Sequence, residues 1–417
     1  MPPALPSDLP SDPPPGSDRP GIVPAWPGPP PWGPEPSACI VGLAGAIARR
    51  FSAAGPAVGV PHDDPKLAGA LAGTRHVVLL LLDGFGLRQL DTLVPGGALA
   101  SCRRSVLRSV FPSSTAPAIT SFATARFPAQ HANPGWFCWS REAGAIIRTL
   151  PMDVRGEPER TLQAEPIWDW RSASLDFSVP VVAVQPQYIA DSVFSRHAWA
   201  GARRVGYQGV DDLEQAVAAA IAEHPAGCFV WAYLPQFDSI SHERGWQSPA
   251  AAAVASRFDH LFERLAARLA ASGALLLASA DHGFVDVPAE QQLRLEDFPA
   301  VAALLERPLA GEPRTVYCQV PDEAHEAFDR AVRESLGHAF EVARIDELVA
   351  AGWFGPGPVS PRLQARIGSH VLIGRDRYTL VDRVPGEPEP AFVGMHGGIH
   401  PDELQVPLLA AWRGAAL

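Results

Sequence analysis

Residues 76–86 read HVVLLLLDGFG: seven strand-forming residues, then Asp83, then a turn marked by Gly84 and Gly86. A run that is apolar at odd and even positions alike has no solvent face, which is how a strand buried inside a parallel sheet reads. Similar runs occur at 181–184 (VVAV), 228–234 (CFVWAYL), 274–280 (ALLLASA) and 406–412 (VPLLAAW). Between them lie Ala-rich helical stretches at 211–223 and 250–271. Strands alternating with helices predict an open, doubly wound and mainly parallel α/β sheet flanked by helices. Such sheets collect ligands at the carboxyl ends of their strands. Asp83, Asp238 and Asp281 each follow one of these runs, so the sequence places all three there.

The 417 residues are 47% hydrophobic and carry a formal charge of −11. That balance suits a large globular core, and it excludes a phosphate-backbone surface, which needs clustered Lys and Arg. No nucleic-acid polymer is therefore expected as a partner. No apolar stretch reaches the roughly 20 residues of a membrane span. The opening MPPALPSDLPSDPPPGSDRP has neither a basic start nor an apolar segment, so it does not read as a secretory signal, and the cytoplasm is the expected compartment. Cys39, Cys102, Cys138, Cys228 and Cys318 are too few and too scattered for a disulfide framework or a zinc ribbon. Nothing in the sequence fixes an oligomeric state.

Residues 1–38 are dense in proline with Ser, Asp and Gly, a composition that predicts a disordered tail. From Cys39 a helical pattern opens the folded body, residues 39–417. Two intervals break the strand–helix rhythm. One, at about 295–380, predicts a small inserted cap with a strand at 370–374 (HVLIG); the other, roughly 134–175, carries Trp136, Trp139, Trp168 and Trp170. Aromatic residues in such a loop can line a site or fill a core.

Five short motifs carry chemistry. Asp83 closes the first strand, where a carboxylate can bind a cation or cap a helix. Asp238 and His242, in FDSISHERG, share one face if the segment is helical. Asp281 and His282 follow ALLLASA directly, and in a turn adjacent residues can converge on one ion. His396 lies in GMHGGIH, near the chain's end. Thr115, in FPSSTAPAIT, stands at the start of an expected helix, where unpaired backbone N–H groups favour a phosphoryl oxygen. Six acid or imidazole donors in this order are what two zinc-like cations require.

Together, Asp-Gly after the first strand, Phe-Pro-Ser-x-Thr-x-Pro, Asp-x-x-x-His, Asp-His-Gly and a late His-Gly resemble the alkaline phosphatase superfamily. Within it they are most similar to the type I phosphodiesterases and nucleotide pyrophosphatases. The resemblance spans most of 76–410 and implies a metal-dependent hydrolase of phosphoric esters acting on a small phosphoester. It implies one divalent ion, expected to be zinc, on Asp238, His242 and His396, and a second on Asp83, Asp281 and His282. Thr115 would be the nucleophile. An unassisted Thr hydroxyl is almost wholly protonated at neutral pH, which is why such a nucleophile needs a cation beside it. Family members usually carry an Asn three residues after the nucleophile and another on the phosphate; here Ala118 holds the first position. Asn133, the only asparagine, is the candidate substrate contact. His131 and His400 read as structural or supporting groups.

Two further readings were weighed. A phosphomonoesterase or a cofactor-independent phosphoglycerate-mutase-like enzyme uses extra cationic residues around the metals, yet Lys66, the only lysine, precedes the first strand. The stretch Ser113–Ala125 contains no Arg or Lys to balance a dianionic monoester, so a diester is the expected substrate. A non-catalytic binding protein is disfavoured because all six donors and Thr115 are intact.

Overall fold

The computed structural model describes residues 28–52, 62–388 and 391–417. The run at 76–82 forms β1 (His76–Leu82), buried at every position. Around it lie β2 (Arg103–Arg108), β3 (Val181–Pro186), β4 (Arg203–Tyr207), β5 (Cys228–Leu234), β6 (Leu275–Ser279) and β7 (Gln405–Trp412). They order as β2–β7–β6–β1–β5–β3–β4, and a short strand at Ala415–Ala416 beside β7 completes an eight-stranded sheet. Strands β6, β1, β5, β3 and β4 run parallel. At the other edge β7 and β2 join antiparallel. The run at 406–412 is thus a strand as expected, but its direction is reversed.

The uninterrupted apolar run of β1 serves two cores by parity. Val77, Leu79 and Leu81 pack with residues of α1 (Ile40–Phe51) and α2 (Thr115–Thr124). Val78, Leu80 and Leu82 pack with α3 (Val210–Glu223) and α5 (Pro249–Leu269) on the opposite face. Helix α5 shows why this works. Ser248 accepts the Ala251 N–H at its start, Pro249 sits in the first turn, and Ala255, Phe258, Leu261, Phe262, Leu265 and Leu269 recur at three- and four-residue steps along its buried stripe. Alternate side chains pointing to opposite faces, each covered by helices, make the doubly wound architecture.

The two irregular intervals are one structure. Strands Phe340–Arg344, His370–Gly374, Thr315–Cys318 and Ala310–Glu312 continue into Phe137–Ser140, Ala145–Arg148, Asp153–Val154 and Glu157–Thr161 as a second eight-stranded sheet. Every pairing in it is antiparallel, and the seam between the intervals is the Gly311–Phe137 pair. The expected small cap at 295–380 is therefore half of a larger sheet. Trp168 and Trp170 fill the core beneath α1 and α2 rather than lining a site.

The expected disordered tail is corrected in its last part. Trp32 is buried, its indole donates to the Gly352 carbonyl (3.0 Å), and Trp353 donates to the Gly28 carbonyl (3.0 Å). A proline-rich segment has little to bury on average, but one tryptophan supplies enough area to dock it. Residues 1–27 lie outside the described residues. Among those described, no helix is long and apolar enough to cross a membrane.

Candidate active site

Strand β1 lies between β6 and β5, and the motif residues gather where these three parallel strands end. The Asp83 N–H donates to the Leu234 carbonyl (3.0 Å), which extends the β1–β5 ladder by one residue and fixes the carboxylate at the sheet's rim. Leu81 pairs with Tyr233 in register, so Asp83, two residues on, faces the same side as the Tyr233 ring. The Tyr233 hydroxyl donates to Asp83 Oδ2. Gly84 then turns the chain at φ +71°; a Cβ there would stand 2.4 Å from the Phe284 ring, so only glycine fits.

Asp281 follows β6, and its Oδ1 accepts the N–H groups of Gly84 and His282, each at 3.0 Å. Asp238 and His242 sit one turn apart on α4 (Gln236–Arg244), with His242 Nε2 3.4 Å from Asp238 Oδ1. His396 reaches the same point from a loop beyond the short strand Gly394–Met395: its Nε2 is 3.2 Å from His242 Nε2 and 3.6 Å from Asp238 Oδ1. His282 Nε2 is 3.4 Å from Asp83 Oδ1 and 3.6 Å from Asp281 Oδ2. Thr115 begins α2, and its Oγ1 is 3.0 Å from His282 Nε2. The structure therefore brings all six expected ligands and the expected nucleophile into one cluster.

The donors are arranged as a cation site demands. Each imidazole turns Nδ1 toward a backbone carbonyl: His242 to Gly394 (2.9 Å), His282 to Gly283 (3.1 Å) and His396 to Ser113 (3.3 Å). With Nδ1–H donating there, the Nε2 lone pair points into the cluster. Asp83 Oδ1, Asp238 Oδ1 and Asp281 Oδ2 are buried without a hydrogen-bond partner. Donor atoms of Asp83, Asp281 and His282 lie within 4.8 Å of one another, as do those of Asp238, His282 and His396. Buried carboxylate oxygens left unpaired are costly unless a cation meets them, so the residues fit divalent ions.

Burial, together with the charges of Asp238 and Asp281, pushes the Asp83 carboxyl well above the usual range. Burial works against the charge of Asp238 as well, but the neighbouring His242 outweighs it and holds the carboxylate down; His242 is held up in turn. Burial and the neighbouring His282 and His242 drive His396 well below its ordinary value, which keeps its ring neutral. A neutral imidazole is the form that binds metal.

The family model for type I phosphodiesterase / nucleotide pyrophosphatase matches residues 77–399, over three quarters of the chain. The chain belongs to that family. This member is a hydrolase of phosphoric ester bonds. Its fold resembles murine ectonucleotide pyrophosphatase/phosphodiesterase 5 at 15% identity and a TM-score of 0.58, covering 80% of this chain and 87% of that one. The human counterpart scores 0.59 at 14% identity, with the same coverage. Phosphonoacetate hydrolase from Sinorhizobium meliloti 1021 in complex with phosphonoformate scores 0.56 at 18% identity, covering 81% and 90% of the two chains. Comparison with curated protein sequences gives no match.

In this phosphodiesterase-family member the expected substrate contact, Asn133, is engaged within the protein. Asn133 is fully buried behind α2, where its Nδ2 donates to Thr120 Oγ1 (2.9 Å) and the Ala116 carbonyl (3.3 Å). It braces the helix that carries Thr115 and does not line the substrate cavity. His131 is structural too: its ring bonds Ser121 Oγ (3.0 Å) and accepts the Asn133 N–H (3.1 Å). His400 accepts the Asp402 N–H (3.1 Å) and caps the short helix Pro401–Leu404.

A cavity of about 580 Å³ opens beside Thr115, Asp238, His242 and His396, with Trp136, Phe137, Met395 and Phe392 among its apolar walls. Two residues near the cluster carried no sequence signal. Tyr233 reads as one more apolar strand residue. Glu312 comes from the inserted sheet, and only the fold brings it to the Thr115 helix. Its Oε1 accepts the Ser114 hydroxyl (2.5 Å) and the Trp136 N–H (2.7 Å), and burial pushes its carboxyl up to about 7.

Proposed function

We propose that this hydrolase cleaves small phosphodiesters through a covalent phospho-Thr115 intermediate, in a site holding two zinc ions. The observation that carries the reading is the position of Thr115: the first residue of a buried helix, with Oγ1 3.0 Å from Nε2 of His282, which belongs to both close donor groups, Asp83–Asp281–His282 and Asp238–His282–His396. One cation would be held by Asp83, Asp281 and His282 and the other by Asp238, His242 and His396, and three imidazoles among six donors suit zinc better than magnesium. Bound cations would lower the barrier by favouring the Thr115 alkoxide and polarising the phosphoryl oxygens.

The chain's own residues supply the rest. Helix α2 presents its first backbone N–H groups toward the phosphoryl group, adding the partial positive charge of a helix start. Thr115 Oγ forms a bond to phosphorus as the ester P–O bond opposite it breaks. The departing oxygen takes a proton from solvent, and the Thr115 proton is released. Water then attacks the phospho-Thr115 phosphorus, restoring the hydroxyl and freeing a phosphomonoester. The apolar walls at Trp136, Phe137 and Phe392 would receive the organic group that a diester carries and a simple monoester lacks.

The structural relatives support a threonine-centred site and small anionic substrates. An inactive threonine-to-alanine variant of the murine relative was solved with AMP, and the Sinorhizobium hydrolase with phosphonoacetate. The cytoplasm remains the proposed compartment, supported by five cysteines that are all free. The test is kinetic. Thr115→Ala should lower nitrophenyl phosphodiester turnover by about three orders of magnitude or more, with metal content unchanged. Retained activity in Thr115→Ala, with loss in Ser114→Ala instead, would move the nucleophile by one residue.

A further inference from the structure

Glu312 ends the strand Ala310–Glu312 of the inserted sheet, and its side chain crosses to the head of the Thr115 helix. There it takes the hydroxyl of Ser114, the residue just before the nucleophile, so Ser114 makes no helix cap. The backbone is shaped around it. Gly397, next to His396, holds φ +99°, and a Cβ there would lie 2.8 Å from the Glu312 Cβ. Both hydrogen bonds of Glu312 fall on Oε1, and the residue lines the cavity shared with Thr115, Asp238, His242 and His396.

In the cavity wall Arg148 is paired with Asp153, Arg155 with both Asp382 and Glu387, and Arg383 lines the same cavity. Asp83, Asp238 and Asp281 against two divalent cations leave an excess of about one positive charge, which an ionised Glu312 cancels. The Ser114 hydroxyl, otherwise a donor beside the nucleophile, is already engaged. Against that neutral balance a monoanionic diester adds one negative charge and a dianionic monoester two, so the dianion is opposed the more strongly.

We propose that Glu312 is the specificity-determining residue of this site, selecting monoanionic phosphodiesters over dianionic phosphomonoesters. The inference rests on the hydrolase reading above and names its substrate charge class. Glu312→Gln keeps an acceptor for Ser114 and Trp136 while removing the charge. At about pH 8.5, where the native carboxyl is ionised, the ratio of monoester to diester kcat/KM should rise about tenfold or more. Glu312→Asp, which keeps the charge, should hold the wild-type ratio. In a Thr115→Ala background, calorimetry on zinc-loaded protein should show inorganic phosphate binding about tenfold tighter once Glu312→Gln is added. If the glutamine variant does not fold, Glu312→Ala carries the same two expectations. An unchanged ratio and unchanged phosphate affinity, with both esters affected equally, would overturn the inference and leave Glu312 a structural brace. Wild-type protein inactive on both esters would instead defeat the hydrolase reading itself.

Discussion

Arg314→Met tests whether the loop carrying His396 is held by a buried ion pair. Arg314 and Glu403 are both wholly buried, joined at 2.7 and 2.9 Å, and the guanidinium also donates to the carbonyls of Tyr378 (3.0 Å) and Asp376 (2.8 Å). Glu403 in turn accepts the N–H groups of Gly398 (2.9 Å) and His400 (3.1 Å), which tie down the chain just after His396. Removing one partner of such a pair strands a buried charge, at about 3–5 kcal/mol. Urea unfolding of both proteins at pH 7 should therefore show a deficit of about 3–5 kcal/mol. The metal content of the variant should fall below that of wild type, because the expected ligand His396 loses its anchor. A deficit under about 1 kcal/mol at pH 7 would refute the reasoning.

Three further outcomes are expected. Protein purified without chelator should carry two zinc ions per chain by elemental analysis, and exhaustive chelation should abolish activity; magnesium alone, or activity that survives chelation, would overturn the metal assignment. Tyr233→Phe removes the hydroxyl that holds Asp83 Oδ2, and titration with a competing chelator should show metal affinity about 10- to 100-fold weaker. Burial, reinforced by Arg366 and Arg126, holds His131 down to about 3. The unfolded chain then takes up a proton that the fold refuses, so this contribution is complete above about pH 6.5 and about 2 kcal/mol of it is lost by pH 5. His131→Gln should flatten the acid slope of the urea midpoint across that window, and an unaltered slope would show that His131 does not titrate as buried.

Legibility in the sequence followed the range of the interactions. Strand β1 ends at Leu82 as its apolar run does, α2 begins at Thr115, and the 370–374 strand forms as read, because burial parity and helix starts are written in adjacent residues. The same locality put Asp83, Asp238 and Asp281 at strand ends. What was lost depends on distant pairing. Strand β2 (RRSVLR) has one buried position and carries arginines, so it lacks the run that marks its neighbours. The reversed direction of β7 is set by its partners β6 and β2, not by its own composition. The union of the two insertions rests on a single seam between Gly311 and Phe137, residues that nothing local connects. Residue type and rough position suggested a phosphate contact for Asn133, and only the fold shows that its amide bonds the back of α2.

The two sheets divide the chemistry between them. Every expected cation ligand except His396 is mounted on the end of a parallel strand or on the helix just after it, where the ladder fixes the backbone to within one hydrogen bond. His396 is the exception, and its loop is the one braced by the inserted sheet, through Arg314 to Glu403 and through Thr315 Oγ1 to the Gly397 carbonyl (2.6 Å). The same sheet delivers Glu312 and Phe137 to the cavity wall. Substitutions in the parallel sheet's rim should therefore act on metal binding and turnover together. Substitutions on the cavity face of the inserted sheet should change which ester is taken while leaving the cations in place. Arg314 joins the two, since it lies two residues from Glu312 in the chain yet holds the loop of the expected ligand His396. A family that varies its substrates while keeping its metals would vary the inserted sheet at Glu312 and Phe137 and retain the Arg314–Glu403 pair.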